Sequence, residues 1–272
     1  MFSFKGFNKY QNKKTTMKYG TLFVRTINIP FSKEKRRTLR VWLPPQYDDK
    51  SRFPVIYMSD GQNMVDKYTS AFHSWRMDRV MNNYSILGNI PFIIVGIDCP
   101  KEEKERENEY SFKGQYIKNK HSPINPYGEK FADYLVNIIK PLIDKTFLTN
   151  SSYTGFCGSS MGGLFSFFIG YKYSDIFKFL LVFSPAFCLL KHNYLNRLIN
   201  NDIHYPIIYL YNGGRGLEKE LKKKCDDVYF MLSKMPNIDI FYRYDKWQHH
   251  NEKAWNKYVL ESLLFITSKI KC

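Results

Sequence analysis

The chain of 272 residues contains no uninterrupted apolar run near the roughly 20 residues that a membrane-spanning helix needs. No membrane partner is therefore expected. The opening stretch, MFSFKGFNKYQNKKTTMKYG, is polar and dotted with lysine, and lacks the continuous apolar segment of a secretory signal. Cysteine is sparse: the five residues, Cys99, Cys157, Cys188, Cys225 and Cys272, lie far apart, with no CxxC spacing and no nearby histidine pair. That pattern speaks against a disulfide framework and against a metal site, and fits reduced thiols in a cytoplasmic protein. No stretch rich in Pro, Gly and Ser divides the chain and no solenoid-length repeat is visible, so one domain over residues 1–272 is expected.

Acidic residues are outnumbered, 25 Asp and Glu against 41 Lys and Arg, which leaves a formal net charge of +16. Such an excess raises the question of a nucleic-acid partner. The basic residues are spread along the chain, however, and the densest charged run, KEEKERENE from Lys101, mixes both signs. The KKK at 222–224 falls inside an expected helix and reads as a solvated face. No RNP-like, helix-turn-helix or zinc-finger pattern is present. Nucleic acid is set aside as a partner, and a milder bias toward anionic substrates remains.

What is present is an alternation of strands and helices. TLFVRTINIPF (21–31) and RTLRVWLPP (37–45) read as an antiparallel strand pair, the second stopped by two prolines. FPVIYMSDG (53–61) and IPFIIVGID (90–98) are short runs apolar on both faces, the mark of buried central strands. Between them Phe72, Trp75, Met77 and Val80 fall at roughly helical spacing. YGEKFADYLVNIIKPLIDKTF sets Phe131, Leu135, Ile138 and Ile139 on one helix face. Strand and helix continue to alternate through SYTGFCG, FKFLLVFSP, HYPIIYLYNGG, a lysine-rich helix near 218–233, IDIFYRYD and a closing helix. The fold class is α/β, with a mostly parallel central sheet, an antiparallel N-terminal pair and helices on both faces.

Within that frame, CGSSMGGLFSFF (157–168) sits between a strand and a helix and matches G-x-S-x-G with Ser160 at its centre, flanked by Gly158 and Gly162. A serine on so sharp a turn takes strained backbone angles, and its neighbours must lack side chains for strand and helix to pass closely. Ser160 is then lifted to a helix N-terminus, where N–H groups favour developing negative charge. The alternative is a plain glycine-rich turn or phosphate cradle. A serine nucleophile needs a base, and YDKWQHHNEKAW supplies His249 and His250 in the loop before the last helix. The acid belongs after the preceding strand, where Glu218 is the first carboxylate. Asp245, in the histidine's own loop, is its rival.

Taken together, RVWLPPQYD, FPVIYMSDGQNMVD followed by SW, YGEKFADYLVNIIKPLID, GSSMGG and HNEKAW resemble the esterase D-like family of α/β-hydrolases, relatives of enterochelin esterases, feruloyl esterases and mycolyltransferases. The resemblance runs from about 37 to 265 and implies the α/β-hydrolase fold. It implies Ser160 as nucleophile and His250, rather than His249, as base. It also places oxyanion-hole N–H groups at Met161 and Gln62, and requires no cofactor. The acid loop, GGRGLEKE, departs from the family's G-T-x-E or G-T-x-D pattern. The implied activity is a serine carboxylesterase acting on a small-molecule ester, aromatic or anionic in character, through an acyl-enzyme.

Residues 101–127 read as an insertion that could cap the site with Tyr110, Phe112, Tyr116 and Tyr127, with His73 and Trp75 on the opposite rim; solvated loop and core aromatics are the competing reading. His73, Trp75 and Tyr127 are carried as substrate-binding candidates. An acyltransferase on the same triad and a catalytically silent binding module of the same fold are the functional alternatives. Assembly stays open between monomer and homodimer.

Overall fold

The computed structural model describes residues 3–70, 72–113, 125–190 and 206–270. Its strands join in one nine-stranded sheet of order β1-β2-β3-β5-β4-β6-β7-β8-β9. The strands are β1 Asn8–Lys9, β2 Thr21–Asn28, β3 Arg36–Leu43, β4 Phe53–Met58, β5 Ile93–Ile97, β6 Thr149–Ser159, β7 Phe179–Phe183, β8 Ile207–Gly213 and β9 Ile240–Asp245. From β5 through β4 to β9 every pairing is parallel, and β1, β2, β3 and β5 pair antiparallel. The mainly parallel α/β architecture expected from the sequence is therefore the one observed.

The apolar runs have a direct cause. Along β4, Val55 and Tyr57 point into one core while Ile56 and Met58 point into the other, as the two-residue period of a strand requires. Both faces are covered, so neither set can be polar. Helices α1 (Met77–Ile86) and α7 (Glu252–Lys269) supply Val80, Met81, Val259 and Leu263 to one core. Helices α2 (Glu103–Tyr110), α3 (Gly128–Tyr134), α4 (Lys140–Thr146), α5 (Met161–Lys172) and α6 (Glu218–Leu232) lie in chain order between them, and α3, α5 and α6 supply Phe131, Leu164 and Val228 to the other. Among the described residues no helix is long and apolar enough to cross a membrane.

Two local expectations need correction. The helix between β4 and β5 starts only at Met77, after Arg76 turns the chain through a left-handed conformation (φ 48°), so Phe72 does not share its face and stands 83% exposed. Ile138 is likewise exposed, because a π-helical turn over Leu135–Ile139 links α3 to α4 and rotates it out of the stripe kept by Phe131, Leu135 and Ile139. In the 101–127 insertion, Tyr110 and Phe112 are core aromatics, each 1% exposed, rather than cap residues; Tyr116 lies outside the described residues. Cys272 does too, while Cys99, Cys157, Cys188 and Cys225 are free thiols.

Candidate active site

The carboxyl ends of the parallel strands converge on an open cleft of about 1070 Å³ that Ser160, His250 and Gln62 all line. Such ends are where open α/β sheets place their ligands.

The turn that carries the candidate nucleophile is built by backbone geometry. β6 ends at Ser159, α5 begins at Met161, and Ser160 between them adopts φ 57°, ψ −123°. A non-glycine residue at such angles costs about 1–3 kcal/mol and persists only if its surroundings impose it. Here the Ser160 N–H donates to the Phe183 carbonyl at 3.0 Å, and its carbonyl accepts from the N–H groups of Leu164 and Ala186 at 3.0 Å each. The glycines are required by contact: a Cβ on Gly158 would run into the Gly162 carbonyl and Ser59 Oγ, and one on Gly163 would come within 2.8 Å of the Phe183 carbonyl. The Met161 N–H heads α5, where the first turn's donors have no intrahelical acceptor.

The candidate base, His250, lines the same cleft. His250 Nδ1 lies 3.0 Å from Glu218 Oε1, and the ring meets Trp255 edge-on, with centroids 5.0 Å apart. With Nδ1 committed to a carboxylate, Nε2 is the nitrogen left for the cleft. Glu218, at the start of α6, is fully buried. Its Oε1 also accepts the Ser184 hydroxyl at 2.6 Å, and its Oε2 accepts the Gly213 N–H at 2.9 Å. A buried carboxylate is tolerable only with such donors around it. The competing Asp245 is occupied elsewhere, accepting from the Trp247 N–H at 2.9 Å, from Lys257 Nζ at 3.2 Å and from the Tyr258 hydroxyl. Burial works against its charge, but these bonds outweigh it and hold its carboxyl below the usual range. His249 is exposed.

The oxyanion candidate Gln62 sits in a single 3₁₀ turn, Gly61–Asn63, entered through a left-handed Asp60 (φ 54°, ψ 52°). This turn is held by side chains from three other elements. Arg106 of α2 donates to both Asp60 carboxylate oxygens, at 2.7 and 2.8 Å. Gln62 closes a ring with Cys99, its Nε2 donating to Sγ and its Oε1 accepting from the Cys99 N–H, both at 3.0 Å. Asn63 Nδ2 donates to Glu252 Oε1 of α7 at 3.1 Å. Burial pushes the Cys99 thiol up, which keeps it protonated, and burial also raises the Glu252 carboxyl.

Of the substrate-binding candidates, His73 lines the cleft, beside the exposed Phe72. Trp75 does not: it is 1% exposed, its indole stacked on Trp255 at 5.4 Å and set edge-on to Phe183. Tyr127 does not either, since its hydroxyl is drawn to Ser32 and Glu105 at 3.1 and 2.9 Å on the far side of α2. The substrate-binding expectation fails for both because aromatic residues near a cleft serve packing as readily as binding. The motifs assign no role to Asp60, Arg106, Ser184 or Glu252. The signal for Asp60 and Ser184 was positional, each following the last residues of a parallel strand.

A model of the family described as "Putative esterase" matches residues 32–263. The uncharacterized protein YbbA of Bacillus subtilis is 27% identical over 153 residues, which cover 53% of this chain and 55% of that protein, about half the length of each. Among solved structures, the BES protein from Bacillus cereus matches with a TM-score of 0.72 at 18% identity, over 95% of this chain and 99% of that one. The siderophore hydrolase EstA from Aspergillus nidulans gives 0.73 at 14% identity, over 96% and 99%. An S-formylglutathione hydrolase from Agrobacterium tumefaciens gives 0.67 at 16%, over 97% and 100%. These likenesses show the α/β-hydrolase fold.

Proposed function

The chain belongs to the family described as "Putative esterase", and on that premise we propose that it is a serine carboxylesterase working through Ser160, His250 and Glu218. The observation that carries this reading is the 3.0 Å contact of His250 Nδ1 with the buried Glu218 in the cleft that Ser160 also lines. In the proposed reaction Ser160 Oγ attacks the ester carbonyl while His250 Nε2 accepts its proton. The N–H groups of Met161 and Gln62 receive the developing oxyanion, and Glu218 orients the imidazole and stabilises its cationic form. His250 returns the proton to the departing alcohol. Water, activated by the same nitrogen, then releases the acid from Ser160.

The substrate we propose is a small-molecule ester with an apolar part. Phe72 and Leu217 stand exposed at the cleft's rim, and its charged lining is mixed, Arg36 and Lys101 beside Glu34 and Glu103. The siderophore and S-formylglutathione hydrolases named above supply two ester classes to try. An open cleft gives water access to an acyl-enzyme, which favours hydrolysis over acyl transfer. Assembly as a monomer or homodimer and a cytoplasmic location remain expectations from the sequence.

The test is hydrolysis of p-nitrophenyl esters by the whole chain. Ser160→Ala and Glu218→Gln are expected to lower kcat by about 10³-fold or more, whereas Asp245→Asn stays within about threefold of the parent. Undiminished turnover by Ser160→Ala would sink the triad reading, and a collapse of Asp245→Asn beside an active Glu218→Gln would move the acid to Asp245.

A further inference from the structure

Ser184 lies one residue beyond β7, fully buried, with a left-handed φ of 43° that L side chains rarely adopt. Its N–H donates to the Tyr211 carbonyl at 2.7 Å, fixing the backbone against β8. Its side chain stands in a chain of donors. Trp255 Nε1 donates to Ser184 Oγ at 2.9 Å, and Ser184 Oγ donates to Glu218 Oε1 at 2.6 Å, the same oxygen that faces His250 Nδ1. Because the indole N–H can only donate, it occupies a lone pair of Oγ and turns the hydroxyl proton toward the carboxylate. The geometry points to Ser184 as a positioning residue: with Trp255 behind it, Ser184 fixes which lone pair of Glu218 Oε1 remains for His250. This rests on the Ser160–His250–Glu218 reading above.

The alternative for this serine is a purely structural role. A merely structural residue in the left-handed region would be better served by glycine, which takes φ 43° without a steric penalty. Retaining serine there imposes strain, and strain held at a site commonly has a local use. Exposure is nil, so Ser184 meets neither substrate nor solvent. What it meets is the carboxylate, and a hydrogen bond to a charged group is the strong kind.

The experiment compares Ser184→Gly and Ser184→Ala with the parent and with Ser160→Ala on one p-nitrophenyl ester, recording kcat, KM and the thermal midpoint. Glycine removes the strain along with the hydroxyl but leaves the Trp255 indole N–H without its acceptor, two effects of similar size and opposite sign, so Ser184→Gly is expected to fold with a midpoint within about 5 °C of the parent's. Its kcat should nonetheless fall about tenfold, with KM within about twofold, because one charge-assisted bond to the acid is gone. Ser184→Ala should lose kcat similarly, with a lower midpoint. A Ser184→Gly enzyme with parental kcat overturns the inference, and so does one that fails to fold, since the hydroxyl would then serve stability. If Ser160→Ala is fully active, the triad reading itself has failed; if Ser160→Ala is dead while Ser184→Gly is unimpaired, only the role of Ser184 falls.

Discussion

The proposed nucleophile turn and the proposed oxyanion turn lie side by side at the carboxyl edge of the sheet, following β6 and β4, yet they are held differently. Ser160 is fixed by main-chain hydrogen bonds and by glycines that let strand and helix touch. Asp60–Asn63 shares these devices, with Gly61 packed on the Gly96 backbone and main-chain bonds from Asn63 and Trp75, but is tied in addition by the side chains of Arg106, Cys99 and Glu252, which come from distant parts of the chain. A turn imposed by local backbone sterics resists change but fails abruptly when a Cβ is added. A turn hung on side-chain bonds loses its restraints one at a time, and each loss should show in catalysis before it shows in the fold.

The comparison breaks most visibly at Gly158. Gly158→Ala puts a methyl against Ser59 Oγ and against the Gly162 carbonyl, and the carbonyl cannot move without opening the β6–α5 packing. An overpacking penalty of about 3 kcal/mol is expected, enough to reduce soluble yield and remove activity together. Urea unfolding measures it, and a variant within about 0.5 kcal/mol of the parent would show that the turn is softer than argued.

A middle-sized effect is expected on the side-chain-held turn. Arg106→Gln leaves Asp60 with its carboxylate buried and short of its bidentate partner. Breaking a fully buried pair costs about 3–5 kcal/mol; with the Arg106 side chain 24% exposed the loss should be nearer about 2 kcal/mol. Because Asp60 leads directly into Gln62, kcat should drop about tenfold with little change in KM. Equal losses in kcat and 1/KM, or a kcat that does not move, would remove the link between this ion pair and the oxyanion turn.

The same contrast explains what could be read from the sequence. Ser160 was legible because G-x-S-x-G is contiguous and its cause is local, and the buried strands were legible because two covered faces leave only apolar residues. Topology narrowed the base to His249 or His250 and the acid to Glu218 or its rival Asp245, each in or beside a loop after a predicted strand, and only the family resemblance pointed to His250. Asp60's partner lies 46 residues away and Asn63's 189, and no period or spacing connects them. Trp75 failed for a related reason. Its aromatic ring was visible, but whether it faced the cleft depended on Trp255 coming to lie beneath it.

The smallest effect concerns Glu252, whose carboxyl is raised chiefly by burial and further by the nearby Asp60, while His73 and His250 oppose the shift. A carboxyl raised in the folded state holds its proton more tightly there than in the unfolded chain. The folded state therefore binds the extra proton, and this residue's contribution to stability is fullest below the ordinary value of 4.5 and is lost as pH rises through the raised one. Glu252→Gln keeps an oxygen for Asn63 Nδ2 but carries no charge at any pH. Its thermal midpoint should exceed the parent's at pH 8, and the gap should close as pH falls toward 4.5. A gap that is the same at both ends would mean that the charge on Glu252 is not what the fold opposes, and that Glu252 serves the oxyanion turn through its hydrogen bond alone.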